Sequence, residues 1–355
     1  MSKFDYVIQG AGCAGLSLAY ALEQRGKLDD VSLAIVDPRV SYQRDKTWSF
    51  WRLGPHAFED CVLQQWDQFR VRTTTSSRSV NCNSMPYQSV DSGLFYQKVL
   101  TRLAANPRIE FIKDLASFDA GDAVVFNSVP VPQQEGKGPW QHFKGIEIHA
   151  PEGTFDVDEM MLMDFDCDQR GHVHFFYVLP FSSSRALVET TWLGPLSEQL
   201  SDYDQQLSAY VKRRWGLSNY TVSFTEQGAI PLFEMPSEGS ARMINIGGAG
   251  GMIRQSTGYA FLNIQDQSAY ICDHFDDLAS VPRFQIRQRY RVLDRIFLRV
   301  LKGSPELMPE VFNRFFQTHP KSVIEFLSNK GTLAGDASAI LGMPKLPFLR
   351  ALVGA

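Results

Sequence analysis

The sequence predicts an α/β fold in which a parallel, doubly wound sheet is interleaved with an antiparallel-sheet domain and followed by a helical tail. Three observations predict it. A strand, a glycine turn and a helix open the chain, alternating Thr/Ser-rich runs interrupt its middle, and a basic stretch of helical period ends it. The 355 residues, 44% apolar and 21% charged, have ordinary globular composition and suffice for two domains, which excludes disorder, collagen and coiled coil. A net charge of −4 supplies no overall basic field for nucleic acid. No apolar run approaches the ~20 residues that a membrane-spanning helix needs, so a soluble protein is expected.

Residues 4–9 read as a short buried strand. Gly10-Ala11-Gly12-Cys13-Ala14-Gly15 then forms G-x-G-x-x-G, and helical spacing continues through Leu16, Ala19, Tyr20 and Leu22. Gly10 allows the turn, Gly12 lets backbone approach a pyrophosphate, and Gly15 permits close helix–strand contact, while free N–H groups at the helix start favour phosphate. A second apolar run, 31–36, ends in Asp37, whose carboxylate is placed to accept bonds from ribose hydroxyls. Strand, helix and acid agree on a Rossmann-type dinucleotide site rather than glycines in a surface turn.

The fingerprint itself does not choose between FAD and NAD. After Asp37 the chain gives Thr47-Trp48-Ser49-Phe50-Trp51 and polar alternating stretches instead of further regular βαβ units. The nucleotide fold resumes with a helix over 94–105 and strands over 109–112 and 123–127. This interleaving is typical of FAD proteins of the aromatic hydroxylase and glutathione reductase type, by fold-level analogy. The expected division is a discontinuous FAD-binding domain (1–50, 92–130 and 240–280), a substrate domain (51–91 and 131–239) and a helical C-terminal region (281–355).

A third contribution to the nucleotide site is expected from 243–275. A strand leads into Gly247-Gly248-Ala249-Gly250-Gly251, and Thr257-Gly258-Tyr259 opens a helical run. Glycines between strand and helix bring bare backbone against a flat ring or a phosphate, and a helix start supplies donors for a flavin's negative pole.

Strand-like runs succeed one another at 141–150, 160–166, 173–180, 186–193 and 220–233. On 173–179, Phe175, Tyr177 and Leu179 share one face, and His174, Phe176 and Val178 the other. Either face suits the floor of a lipophilic cavity or a packing surface for helices. Glu189 sits inside Leu187-Val188-Glu189-Thr190-Thr191-Trp192. Burial there would raise its pKa and make it a proton donor near neutrality, whereas alternation alone also allows a solvent-facing side chain.

His172 and His174 lack companions at metal-ligand spacing and read as ordinary sheet histidines, so no metal is expected. Cys13, Cys61, Cys82, Cys167 and Cys272 form no CxxC pair and are expected as reduced thiols. Without G-x-S-x-G, serine hydrolase chemistry has no foothold. No basic-then-apolar leader precedes the first strand, which argues for a cytoplasmic location.

Residues 281–355 carry 12 Lys+Arg against five acids, a net of +7, which leaves −11 for the remainder. The tail is therefore expected to meet something anionic or to lie against the acidic body. Arg287, Arg291, Arg295 and Arg299 recur every fourth residue, with Ile286, Tyr290, Leu293, Phe297 and Val300 on another face, as in an amphipathic helix. Such a row is usually solvated, but it also suits phospholipid headgroups. With the apolar segments 311–316, 323–327 and the Pro-punctuated 343–349, it raises peripheral contact with the inner face of a membrane.

The whole chain resembles the FAD-dependent lycopene cyclase family of bacteria. The likeness is carried by the GAGCAG start, Thr47-Trp48-Ser49-Phe50-Trp51, Met163-Asp164, Tyr177-Val178-Leu179-Pro180-Phe181, Leu187-Val188-Glu189-Thr190-Thr191, Gly247 to Gly251 with Ser256-Thr257-Gly258-Tyr259, and the ending 336–347 with its ILGMPKLP run. The resemblance implies redox-neutral cyclisation of lycopene ends, or those of a related polyene or terpenoid, to β-ionone rings. Reduced FAD, maintained by NAD(P)H, would be the cofactor, and a lipophilic polyene the partner.

The family's acidic motif falls on Glu189 as the acid. The cofactor set would be Gly10, Gly12, Ala14, Gly15, Asp37, Arg44, Trp48, Gly247, Gly248, Gly250, Gly251 and Gly258. Trp48, Phe50, Trp51, Phe175, Tyr177 and Trp192 would line the substrate site, where aromatic faces attract a carbocation. Two departures stand out. Many relatives carry a second acid directly after the glutamate, where this chain has Thr190, and a His-Pro or Lys-Pro pair before Thr-Gly-Tyr is here Arg254-Gln255.

Two other classes fit parts of the pattern. One is a redox flavoenzyme acting on a lipophilic substrate, such as a monooxygenase or a halogenase, although the halogenase element G-W-x-W-x-I-P is missing from the sequence. The other is a non-catalytic carotenoid- or flavin-binding protein.

Overall fold

The computed structural model describes residues 4–114, 118–129, 138–197, 200–234, 240 and 242–353. The first half of the chain runs β1 (Tyr6–Gln9), α1 (Cys13–Gln24), β2 (Leu33–Val36), β3 (Thr47–Trp51), β4 (Val62–Trp66), β5 (Gln68–Arg72), β6 (Ser77–Asn81), β7 (Tyr87–Asp91), α2 (Ser92–Ala104), β8 (Ile109–Ile112) and β9 (Val124–Asn127). It continues with β10 (Trp140–His149), β11 (Glu159–Asp164), β12 (Val173–Ser182), β13 (Arg185–Gly194), α3 (Tyr203–Trp215), β14 (Thr221–Pro231), β15 (Met243–Asn245) and α4 (Phe261–Asp273). Five helices close it: α5 (Gln288–Gly303), α6 (Met308–Phe315), α7 (Pro320–Leu327), α8 (Leu333–Leu341) and α9 (Lys345–Val353).

Three sheets result. The parallel one has the order β15-β9-β1-β2-β8. Its strands are short and apolar because both faces are covered, and β2 is buried at every position. The chain leaves it after β2 and returns through α2, whose N-terminus Asp91 caps by accepting from the Leu94 N–H at 3.0 Å. Between these points, β3, β7 and β4 form a small antiparallel sheet. The third sheet, β14-β10-β13-β12-β11-β5-β6, is antiparallel except where β11 pairs β5. The expected α/β architecture is therefore the one found, with each strand of the middle region within two residues of its expected span. The segment boundaries expected at 130/131 and 239/240 fall on or beside residues outside the described set.

The long sheet buries both faces, and that positions the site. Its even face on β12 and β13 (Phe176, Val178, Val188) packs on Leu207, Tyr210 and Val211 of α3, and Phe176 and Tyr210 stack at 3.9 Å. The sequence reading missed α3, although Tyr203, Leu207, Tyr210 and Val211 carry its period, because strand-like runs surround it. Gly216 ends the helix at φ +68°. The odd face (Phe175, Leu179, Leu187, Leu193) joins Trp51, Tyr87 and the helices α5 to α8 in one core.

The basic tail divides its charge. Arg291 and Arg295 meet Glu234 at 2.9 and 3.1 Å, and Lys330 meets Asp266 at 2.5 Å, so part of the row lies against the acidic body. The Pro-punctuated end is helical: Pro347 falls in the first turn of α9, where its missing N–H costs nothing. Among the described residues no helix is long and apolar enough to cross a membrane.

Candidate active site

The first glycine loop is built by close approach. Gly10 adopts φ +88°, and a Cβ on Gly15 would run into the Gly10 carbonyl oxygen, so α1 starts against the turn. At Gly12, the helix N-cap, a Cβ would meet no described atom within 4 Å, and no side chain caps the helix. The uncapped N–H groups therefore face open space, as an anion site requires.

Asp37 closes this loop. Its Oδ2 accepts from the Ala11 N–H at 2.6 Å, and its Oδ1 accepts from the Arg39 N–H and Nε at 2.9 and 3.0 Å. Burial alone would raise its pKa, but the Arg39 guanidinium and the Ala11 N–H outweigh it and hold the carboxyl below the ordinary value. Arg39 Nη2 also reaches Oδ2, at 3.3 Å, so a further donor would compete with this longest of the four bonds.

The second glycine loop lies on the first. Gly247, at φ +58°, leaves no room for a Cβ because Ala14 of α1 is there, and Gly250 is pressed against the Asn245 carbonyl. Gly248 faces Ile253, whereas Gly251 faces open space. Gly258, at φ +71°, lies on Gln141 of β10, a Cβ there being 2.5 Å from Gln141 Oε1. The loop thus bridges the dinucleotide sheet and the long sheet.

Register brings the acid into this frame. Gly145 of β10 pairs with Glu189 on β13 and with Glu226 on β14, and Glu189 pairs with Tyr177 on β12. Four positions in four adjacent strands therefore share one row on the odd face, which is roofed by β3: Glu226 Oε2 accepts from the Thr47 N–H at 2.8 Å. Glu189 is 9% exposed, and its Oε1 accepts from the Thr191 hydroxyl at 2.6 Å. Burial, then the nearby Glu226 charge, push its pKa up to about 8, against the pull of Thr191 and Lys46. Beside this row the hydroxyls of Tyr87, Tyr177 and Tyr259 gather in a buried cluster, with Tyr177 donating to Tyr87 at 3.0 Å.

The lycopene cyclase protein family matches the chain over residues 5–353. The chain belongs to this family. It is 24% identical to a lycopene beta-cyclase of a Paracoccus species, an alignment covering 97% of this chain and 95% of that protein. It is also 24% identical to a chloroplastic lycopene beta cyclase of an Oncidium hybrid, over 72% of this chain but only 60% of that longer protein. In fold it is similar to a geranylgeranyl bacteriochlorophyll reductase-like protein from Thermoplasma acidophilum. There the TM-score is 0.64 at 12% identity, over 99% of this chain and 98% of that one.

Within this lycopene cyclase family member, the aromatic residues expected at the substrate site divide. Phe50 stacks on Phe261 at 4.7 Å, Trp48 stands edge-on to Phe95 at 5.1 Å, and Trp51 is buried between Phe69 and Tyr87. Phe175 and Tyr177 lie on the same face as Glu189. Trp192 does not: three positions from Glu189 on a strand of period two, it faces α3, stacks on His174 at 3.9 Å and donates to Gln206 at 3.1 Å. Arg44 is held by Glu147 at 2.7 Å and Asp91 at 3.2 Å, over the Phe224 ring at 4.0 Å, one row from Glu189. It joins the sheets at the edge of the site.

Both family departures have structural explanations. Thr190 points away from Glu189, where its hydroxyl donates to Gln206 at 2.5 Å and meets His174 Nε2 at 2.8 Å. Arg254 is buried, its Nε bonding Asp294 of α5 at 3.2 Å and its Nη1 the Phe326 carbonyl, with Tyr290 and Phe326 rings against it. His172 packs beside Gly194. Among the described residues no three His, Cys, Asp or Glu are placed to hold a metal, and the five cysteines are free.

Arg39, Gly145 and Glu226 were missed in the sequence, as was an apolar cavity of about 210 Å³ among α5, α6, α8 and α9. Phe297, Phe312, Phe315, Ile340 and Phe348 line it, and Leu327 is shared with a small cavity bounded by Ser49, Trp51 and Tyr259. Only pairing and packing, not local spacing, bring these residues together.

Proposed function

We propose that this chain is a flavin-dependent, redox-neutral cyclase that closes the ends of lycopene, or of a related polyene, into β-ionone rings. The observation that carries the reading is the Glu189 carboxyl, buried on the roofed face of β13 in one row with Glu226, a setting that raises its pKa and favours the protonated acid. A neutral carboxylic acid in an apolar site can protonate an alkene, and a hydrated carboxylate cannot. The O–H bond of Glu189 breaks as a C–H bond forms at the terminal double bond. A second double bond supplies the pair that closes the ring, and loss of a ring proton leaves the elemental composition unchanged.

The paired glycine loops, with Gly12 at the uncapped start of α1 and Gly251 both open, and Asp37 fit a flavin dinucleotide and would hold it. Bound FAD, kept reduced by NAD(P)H, supplies an electron-rich neighbour for the cationic transition state. The rings of Trp51, Tyr87 and Tyr177 offer their faces to the same charge. The cavity among the C-terminal helices takes the body of the polyene, joined through Leu327 to the space beside Tyr259. Leu346, Leu349 and Leu352 are exposed on α9, next to the lining Phe348, and give a lipophilic substrate a route from a membrane surface.

Expression in a lycopene-accumulating bacterium, with pigment analysis, tests the proposal. Cyclised carotenes are expected. Unchanged lycopene despite bound flavin overturns it, and O₂ consumed with each turnover assigns a monooxygenase instead.

A further inference from the structure

The carboxyl that faces Glu189 is not its neighbour in sequence. Glu226 and Glu189 lie on the two strands that flank β10, both in register with Gly145. That strand position has no side chain, and Glu226 leans into the gap: a Cβ at Gly145 would be 3.3 Å from Glu226 Cγ and 3.5 Å from its Oε1. The other oxygen, Oε2, is held by the Thr47 N–H. Two buried carboxyls thus look across a notch that exists only because residue 145 is glycine.

Two cations act on this pair without bonding it: Lys46, whose Nζ donates to the Gln227 carbonyl at 2.8 Å, pulls on both carboxyls, and Arg44, paired with Glu147 and Asp91, pulls on Glu226, but burial outweighs them at both. Tyr177 of β12, Tyr87 of β7 and Tyr259 before α4 present hydroxyls whose pKa values burial raises above the ordinary tyrosine value, so they stay neutral. Among the described residues no cation reaches either carboxyl at ion-pair distance. Two anions in one low-dielectric notch repel strongly, as in other carboxyl pairs.

We propose that Glu226 is the positioning residue of the acid: facing Glu189 across Gly145, its charge forces the pair to retain one proton, which Glu189 delivers to the olefin. This rests on the cyclase reading for the delivery step, but not for the proton sharing. With Glu226 neutralised, Glu189 loses its like-charged partner and ionises at lower pH.

The full chain with flavin bound, as wild type, Glu226→Gln and Glu226→Asp, tests this by infrared pH titration of the protonated-carboxyl band and by the basic limb of cyclase activity. In Glu226→Gln the Glu189 band, identified by its loss in Glu189→Gln, should vanish at least one pH unit lower. The basic limb should shift with it, so activity near pH 8 falls at least about fivefold while that near pH 6 and the KM for polyene hold. Glu226→Asp should restore most of the wild-type profile. An unmoved Glu189 band overturns the proposal, as does a uniform activity loss without a shift. If no cyclase activity exists at all, the proposed function fails, and the infrared band still decides the pairing.

Discussion

Glu189 and Thr190 are adjacent in the chain and point to opposite faces of β13, the first into the row of Gly145 and Tyr177, the second into a buried bond with Gln206. A second acid placed directly after Glu189 would therefore lie against α3, beside His174, and not beside the first.

This relationship separates two substitutions. Glu189→Gln should lower cyclisation by about 10²-fold to 10⁴-fold, the usual worth of a positioned acid, while flavin content is unchanged. Thr190→Val should leave turnover within a few-fold but cost about 1–3 kcal/mol, because it strips buried His174 and Gln206 of a partner. Pigment analysis with thermal melting checks both, and an inactive Thr190→Val of normal stability would contradict the facing.

Stability should carry the same signature. The folded pKa of Glu189, about 8, lies above its ordinary 4.5, so between these values the folded state keeps a proton that the unfolded state has released. Wild-type stability then falls through that window, by up to about 1.4 kcal/mol per pH unit, and the loss is complete above pH 8. Glu189→Gln lacks this part of the slope and keeps only that of Glu226, whose pKa burial also raises, to about 7. Its denaturation midpoint should match wild type near pH 4.5 and exceed it increasingly up to pH 8; parallel curves would place Glu189 in water.

Gly145→Ala tests the notch. The added Cβ would be 3.1 Å from Leu187 Cδ1 and 3.3 Å from Glu226 Cγ, so the neighbours must give by a few tenths of an ångström. A change of about 1 kcal/mol in stability is expected, with a much larger loss in turnover, since the methyl group occupies the space between the two carboxyls. Equal turnover in the variant would argue against that space being used.

The glycine loop should respond in two different ways. In Gly12→Ala the Cβ meets no described atom, so the chain should fold and lose flavin affinity, as seen in the absorbance of the purified protein. In Gly15→Ala the Cβ strikes the Gly10 carbonyl, and folding itself should suffer, by several kcal/mol in chemical denaturation. Equal flavin content in Gly12→Ala and wild type would remove the cofactor from the start of α1.

The β1–turn–α1 unit, the second glycine loop and the long strands were readable because each depends on neighbours a few residues away: period two, period 3.6 and glycine turns are local. The same locality hid α3 among strand-like runs. It also left the face of Glu189 open, since residues on both faces of β13 are a mixture of apolar and polar.

Sequence alone determined that Glu189 lies within a strand and that two glycine loops precede helices, because backbone sterics and side-chain periodicity act over a few residues. Only tertiary structure decided that Glu189 looks inward, that Trp192 and Thr190 look away, and that Glu226 stands opposite across Gly145. Strand order and register are set by burying whole faces of a sheet at once, and that requirement joins residues with no local relation in the chain.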